Sequence, residues 1–421
     1  MRRLLVSTGA AALLCSSLSG AVDFETPPDE APVASLPPDE IRGVDFHVID
    51  PVRSDGLMRQ YAVDSRFGVY SVYGRRALEV RLREIKALSQ IAKTSDVEVI
   101  IGSAARGVET DIKIAAGVAL NPVRTVVGIP KGIAHLFKGY SAQAKELTSK
   151  VKSAGTRGSE HHGGAGAKIA SGARRYADRY LGVSAAERRW YEHFGVDPYT
   201  NNEVLRKAVA HLARIDATAS LGMKFAALPA IPFVGEMRRA MDAIYNEDPA
   251  VLRARRRDTL LGLGLSAAEI DRFDNTLLLS PTQQHRIEEA ANQLTGVEGR
   301  AELFRHAMSV TSEDEVGVFV SSLEMLAIAH HRNPVERIAS GLRLPTAQLA
   351  DQRVLAFGAF DSIYWTEQVG SYEQALHLAL PSDANGLELW ISGTVSERAR
   401  EELRKRGWDV HDSCATIAGT R

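Results

Sequence analysis

At five expected helix starts between residues 184 and 315, a serine or threonine stands three positions ahead of a glutamate or glutamine. The pairs are Ser184/Glu187, Thr200/Glu203, Ser266/Glu269, Ser280/Gln283 and Ser312/Glu315. This spacing is that of a capping box, in which the two side chains satisfy amides that a helix start leaves unpaired. Pro281, directly behind Ser280, also suits the first position of a helix. The stretches "LGVSAAE" at 181 and "LGLSAAE" at 263 nearly repeat, but their flanks do not. They share cap chemistry and do not mark a solenoid. One helical domain is expected over residues 168–332.

Ahead of it, "GLMRQYAVDSRFGVYSVYG" carries β-branched and aromatic residues on either side of Ser65-Arg66-Phe67-Gly68, the pattern of a hairpin. Leu78, Leu82, Ile85, Leu88 and Ile91 then recur at helical spacing. Further on, Ile133, Phe137, Tyr140, Ala144, Leu147 and Val151 alternate steps of four and three, and Lys131, Lys138, Lys145 and Lys152 recur every seventh residue. That predicts an amphipathic helix with a basic outer stripe, weakened at Gly139. The unit is placed at 44–152. The lysine stripe suits either solvent or an anionic lipid surface.

The most motif-like stretch is "SEHHGGAGAK" at 159–168. It lacks the Gly-Lys-Ser/Thr end of a phosphate loop and follows no strand. Its adjacent histidines have no further ligand at zinc spacing. Residues 153–167 therefore read as a Gly-rich linker.

Past residue 332 the pattern changes. "RVLAFGAFD", "LELWISG" and "WDVHD" are strand-like and helical stretches separate them, which spells a small α/β unit over 333–421. If its strands are parallel, a ligand site would lie beyond their carboxyl ends. Asp361 and Ser362 follow the first strand, Ser392, Gly393 and Thr394 the second, and His411 and Asp412 end the third. These seven are the candidate ligand-binding residues, with Thr394/Glu397 capping the helix between. The fold class expected is mainly α: a capped helical array with a small N-terminal strand/helix unit and a small C-terminal α/β unit.

The N-terminus, "MRRLLVSTGAAALLCSSLSGAVDF", has a basic start, an apolar centre and the small residues Ser19-Gly20-Ala21. This is the build of a signal peptide over 1–21, cleaved after Ala21. Its loss removes two arginines and moves the formal net charge from -1 to about -3. It also removes Cys15, leaving Cys414 alone and excluding an internal disulfide. Residues 22–43 are rich in acids and prolines and read as a disordered tether.

Familiar catalytic and metal-binding spacings are not met. "DPYTNNE" at 197–203 has tyrosine where a calcium loop needs its second oxygen ligand and asparagine where it needs glycine. "EMLAIAHHRN" at 324–333 puts its histidines side by side and not four apart, so it is no zincin helix. No Gly-x-Ser-x-Gly elbow occurs, and Cys414 near His411 lacks an activating base or helix start. No metal site or cofactor is expected, and no nucleic acid. The expected function is an exported, non-enzymatic scaffold or interaction protein of the bacterial envelope. It would lie in the periplasm or outside the cell, partnered by an anionic membrane surface or an envelope protein. The alternative is an exported enzyme, most plausibly a hydrolase, whose site is scattered in sequence.

Overall fold

A computed structural model describes residues 24–93, 133, 135–137, 176, 180, 182–218, 237–339 and 342–414. Residues 1–21 and 153–167, expected as signal peptide and linker, and Lys131, Lys138, Lys145 and Lys152 lie outside these residues.

The acidic, proline-rich segment is not a loose tether from Phe24 onward. Glu30 exchanges backbone hydrogen bonds with Val52 at 2.9 and 2.8 Å, Leu36 is buried, and helix α1 spans Pro38–Ile41. Composition predicted disorder because it counts charges and prolines. A few specific contacts to the folded body suffice to order so short a strap.

Strands β1 (Phe46–Ser54), β2 (Arg59–Ser65) and β3 (Gly68–Tyr73) form an antiparallel sheet in that order. The chain reverses at Arg66-Phe67, so Ser65 pairs with Gly68. Helix α2 (Arg75–Ile91) buries Leu78, Leu82, Ile85, Leu88 and Ile91, the stripe seen in the sequence.

Then come α3 (Ala185–His193), α4 (Glu203–Thr218), α5 (Met237–Asn246), α6 (Pro249–Gly262), α7 (Ala267–Asp274), α8 (Pro281–Gln293), α9 (Ala301–Ala307) and α10 (Glu313–Arg332). Complete capping boxes start α3 at Ser184, α7 at Ser266 and α8 at Ser280. Each cap contributes about 1 kcal/mol. Ser312 caps α10, but the Glu315 carboxylate turns instead to the amide and hydroxyl of Thr311, both at 2.7 Å. At α4 the cap is Asn202, whose Oδ1 accepts from the Leu205 amide at 3.2 Å. Thr200 donates its hydroxyl to Glu84 of α2.

The C-terminal part holds β4 (Arg337–Ile338), β5 (Thr346–Gln348), β6 (Val354–Gly358), β7 (Ser362–Ile363), α11 (Glu367–His377), β8 (Leu387–Ile391), β9 (Thr394–Val395), α12 (Glu397–Lys405) and β10 (Trp408–His411). Five strands form a sheet in the order β10-β8-β6-β5-β4. β6, β8 and β10 are parallel, and β5 and β4 are antiparallel. β7 and β9 pair separately.

The expected mainly α class is overturned. Among the described residues 50% are helix and 17% strand, in three sheets, so a helical bias remains but the mainly α class does not hold. The strands missed from sequence are short or irregular: β5 has three residues and β1 is interrupted between Ile49 and Arg53. Alternation over so few positions carries little signal.

Two apolar cores cut across the expected units. One joins Tyr61 and Val63 of the first sheet and Phe67 of its β2–β3 turn to α2 and to Trp190, Val204, Leu205 and Ile244 of α3–α5. The other joins Ile287, Phe304, Phe319 and Leu323 of α8–α10 to Leu355, Ile391, Trp365 and Trp408. Helix α6 serves both, with Leu252 in the first and Leu260 in the second. The helical stretch is thus shared between two sheets, because each sheet has an apolar face to cover. No helix among the described residues is long and apolar enough to cross a membrane.

The "DPYTNNE" stretch is a joint between these cores. Asp197 accepts from the Tyr199 amide at 2.9 Å and the Thr282 hydroxyl at 2.7 Å. Asn202 donates to the buried Glu84 at 3.1 Å, and Asn201 donates to Glu313 at 2.7 Å. Its polar atoms hold helices to one another.

The box at α7 yields a pH prediction. Glu269 accepts from the Ser266 amide at 2.9 Å and pairs with Arg305 at 2.8 Å. Arg305 first, and then Ser266, lower its pKa to about 2. A lowered folded pKa means stability that is present above the unfolded value and lost as pH falls toward the folded one. Glu269→Gln keeps the box but drops the charge. It should cost about 1 kcal/mol at pH 7, with the gap to wild type closing as pH falls from 4.5 toward 2. Melting temperatures of both proteins across that range would show it; a gap independent of pH would refute it.

Candidate functional site

The parallel strands β6, β8 and β10 end on one side of the C-terminal sheet, and five of the seven candidate residues meet there. Ser392 donates its amide to Gly358 at 3.2 Å and its hydroxyl to the Phe360 carbonyl at 2.8 Å. The Thr394 amide reaches the Asp361 carbonyl at 3.3 Å. Ser362 and Thr394 are register partners in the β7–β9 pair. A Cβ on Gly393 would lie 2.0 Å from the Asp361 carbonyl oxygen. The close approach at Gly393 is therefore by this chain's own backbone and not by a ligand.

His411 and Asp412 lie at the same edge, where the Ser413 amide donates to the Gly393 carbonyl at 2.7 Å, but their side chains turn to other partners. His411 stacks on Trp390 with centroids 4.3 Å apart, and its Nε2 stands 3.5 Å from both Glu388 and Asp409. Asp412 takes a 2.6 Å bond from Arg400 of α12. Thr394 is not a helix cap: Ser396 caps α12, accepting from the Ala399 amide at 3.0 Å.

The space beyond the strand ends is filled by the turn between β1 and β2. Asp55 shapes that turn by accepting the amides of Leu57 and Met58 at 2.9 and 2.8 Å. The Leu57 carbonyl accepts the amides of Asp361 and Ser362 at 3.0 and 3.1 Å, and the Gly56 carbonyl that of Tyr364 at 2.9 Å. Leu57 and Met58 enter the second core, each side chain worth about 1.5–3 kcal/mol on burial.

In return, the Asp361 carboxylate reaches into the N-terminal unit. It accepts the Arg59 amide at 2.8 Å and the Arg75 amide at 3.0 Å. Arg75 opens α2, and Gly74 before it has φ 93, a conformation that suits glycine. A carboxylate is favoured at such a helix start. Burial pushes the Asp361 carboxyl above its usual range, against the pull of these amides and of the Arg59 and Arg75 guanidinium groups. Arg59 is itself held by Glu30 of the strap at 3.0 Å, and Tyr364 donates to the same carboxylate at 3.2 Å.

Two further arrangements were invisible in sequence. His135 stands 3.0 Å from the buried Glu315, which Thr311 orients; the two lie 180 residues apart. An open cleft of about 490 Å³ runs beside the start of α6, lined in part by Arg188, Arg253, Arg257, Asp248 and Asp271. Arg257 and Asp271 pair at 2.8 Å across it, and Asp248 caps α6. In "EMLAIAHHRN", His330 Nδ1 accepts the Val335 amide at 3.1 Å and ties down the exit of α10. Among the described residues no three His, Cys, Asp or Glu gather as metal ligands.

No protein-family model, curated protein or solved structure matches this chain.

Proposed function

We propose that the protein is an exported, non-enzymatic scaffold or interaction module of the bacterial envelope, acting in the periplasm or outside the cell. The observation that carries this is the use made of the sheet's carboxyl edge. Where an open α/β unit would hold a small ligand, this chain packs its own β1–β2 turn and anchors it through Asp361 to the start of α2. The charged groups there join distant segments of one body. Export rests on the basic, apolar and small-residue order of residues 1–21. Contact with an anionic membrane rests on the seven-residue recurrence of Lys131, Lys138, Lys145 and Lys152.

One observation favours the alternative, an exported hydrolase: a histidine steadied by a buried carboxylate, as at His135 and Glu315, is how a general base is held. A single preparation separates the two readings. Expressed with its leader, the protein should fractionate outside the cytoplasm with Val22 as its first residue. It should also bind phosphatidylglycerol vesicles at low salt and release them as salt rises. An intact Met1 in a cytoplasmic fraction would remove export. Ester or amide hydrolysis lost on His135→Ala, with the fold retained, would replace the scaffold with the enzyme.

A further inference from the structure

The open cleft beside the start of α6 gathers more positive charge than its own carboxylates cancel. Arg188 of α3 lines this cleft and is only 8% exposed. Its Nε donates to the Tyr245 carbonyl at 3.3 Å and its Nη1 to the Val183 carbonyl at 3.1 Å. Both acceptors are neutral backbone oxygens. Among the described residues no carboxylate pairs with this guanidinium, and its Nη2 finds no acceptor. A charge so far out of water is costly unless an opposite charge meets it.

Arg253 of α6, on the same cleft, is also short of a counter-charge. Its Nη2 donates to the Asp274 carbonyl at 3.1 Å, and its guanidinium lies over the Tyr176 ring at 5.2 Å. Its Nε stands 3.9 Å from the Asp274 carboxylate. That carboxylate is already held by the buried Arg256, whose Nη2 and Nε donate to one oxygen at 2.7 and 3.1 Å. Arg257 pairs with Asp271 at 2.8 Å, and Arg255 with Glu247 at 3.0 Å, so neither adds net charge. Asp248 remains, its Oδ1 accepting the Ala250 amide at 2.8 Å as the cap of α6. Arg188 and Arg253 together outweigh it by one positive charge.

The shape of the cleft narrows the anion that would restore the balance. Its volume of about 490 Å³ lies within the range of small-molecule sites and exceeds what a bare inorganic ion needs. Val183, Pro249, Ala250 and Ala254 make much of its wall apolar. Guanidinium donors left open match a carboxylate or a phosphate. An excess of only one charge, with Asp248 and Asp271 on the wall, favours a singly charged group over a doubly charged phosphate monoester.

We infer that this cleft is a binding site for a small organic monocarboxylate with an apolar body, its carboxylate drawn to Arg188 and Arg253. Such a site goes beyond the scaffold reading and is tested apart from it, because binding by the purified full chain does not depend on where the protein resides.

The probe is 4-phenylbutyrate, titrated calorimetrically into the full chain, with its uncharged amide as the matched control. The acid should bind at least about tenfold more tightly than the amide, the difference expected for a charge-assisted hydrogen bond. Arg253→Gln should weaken the acid by about as much and leave the amide unchanged. Asp248→Asn keeps a good helix cap and removes the opposing charge, so it should bind the acid several-fold more tightly. A gain of this kind cannot come from a misfolded protein, and circular dichroism checks folding of both variants. Equal binding of acid and amide, no binding of the acid, or no gain in Asp248→Asn would overturn the site. Phenyl phosphate, doubly charged at about pH 8, should bind more weakly than the acid. Tighter binding of it would overturn the assignment to a monocarboxylate.

Discussion

A single methyl group at position 393 is expected to undo the C-terminal half of the protein. In Gly393→Ala the new Cβ would lie 2.0 Å from the Asp361 carbonyl oxygen, 2.4 Å from its carbon and 2.7 Å from the Phe360 carbonyl oxygen. All three are backbone atoms, so no side chain can rotate away. Ordinary overpacking costs about 1–3 kcal/mol because side chains give way. Here β7 would have to part from β9, and the loss should exceed about 4 kcal/mol, a large share of the stability of a natural domain. Gly262→Ala is the control: the added Cβ meets nothing within 4 Å, and the change should stay within about 1 kcal/mol of wild type. Urea midpoints of the two variants decide it. If Gly393→Ala unfolds alongside its control, the close approach has been misjudged.

The second large effect belongs to Asp361→Ala. It leaves the amides of Arg59 and Arg75 without their acceptor, at about 1–3 kcal/mol for each orphaned buried donor. It also removes the counter-charge facing the Arg59 and Arg75 side chains. A total of about 3–5 kcal/mol is expected, as for breaking one side of a buried ionic contact. The damage should be local in a telling way. Hydrogen exchange should accelerate first at the start of α2, which has no side-chain cap of its own. Asp361→Asn keeps one acceptor and should lose less. Because burial raises the Asp361 pKa, its ionisation opposes folding, so wild type should lose some stability as pH rises through that raised value. The asparagine variant should lack that component. Unchanged exchange at Arg75 to Leu78 in the alanine variant would show that α2 does not depend on this carboxylate.

Several elements were legible because their determinants lie within a few residues of one another. Ser184, Ser266 and Ser280 start helices with complete boxes, since hydroxyl and carboxyl or amide partners are only three positions apart. Leu78, Leu82, Ile85, Leu88 and Ile91 share one buried face because the helical period puts them there. Where the same local signals misled, a distant group had intervened. The Thr200 hydroxyl was taken by Glu84, 116 residues away, and Asn202 became the cap in its place. Thr394 was drawn into a strand beside Ser362, and the cap passed to Ser396. Residues 24–42 resemble a tether in composition, yet Glu25 and Glu30 find partners more than three hundred residues away, at Trp365 and Tyr364.

The sequence by itself determined where several helices begin, which faces of α2 and of the strands are apolar, and that Asp361, Ser392, Gly393 and Thr394 follow strand ends. Only the tertiary structure decided what those strand ends meet. A turn at residues 55–58 enters the space a ligand would use, and a carboxylate at 361 caps a helix that begins at 75. Helix starts and strand faces follow from short-range sterics and hydrogen bonding, which are written in neighbouring residues. The pairing of Asp361 with Arg75 follows from how two apolar cores close on one another. Burial rewards area removed from water without regard to sequence order, so no pattern along the chain could announce it.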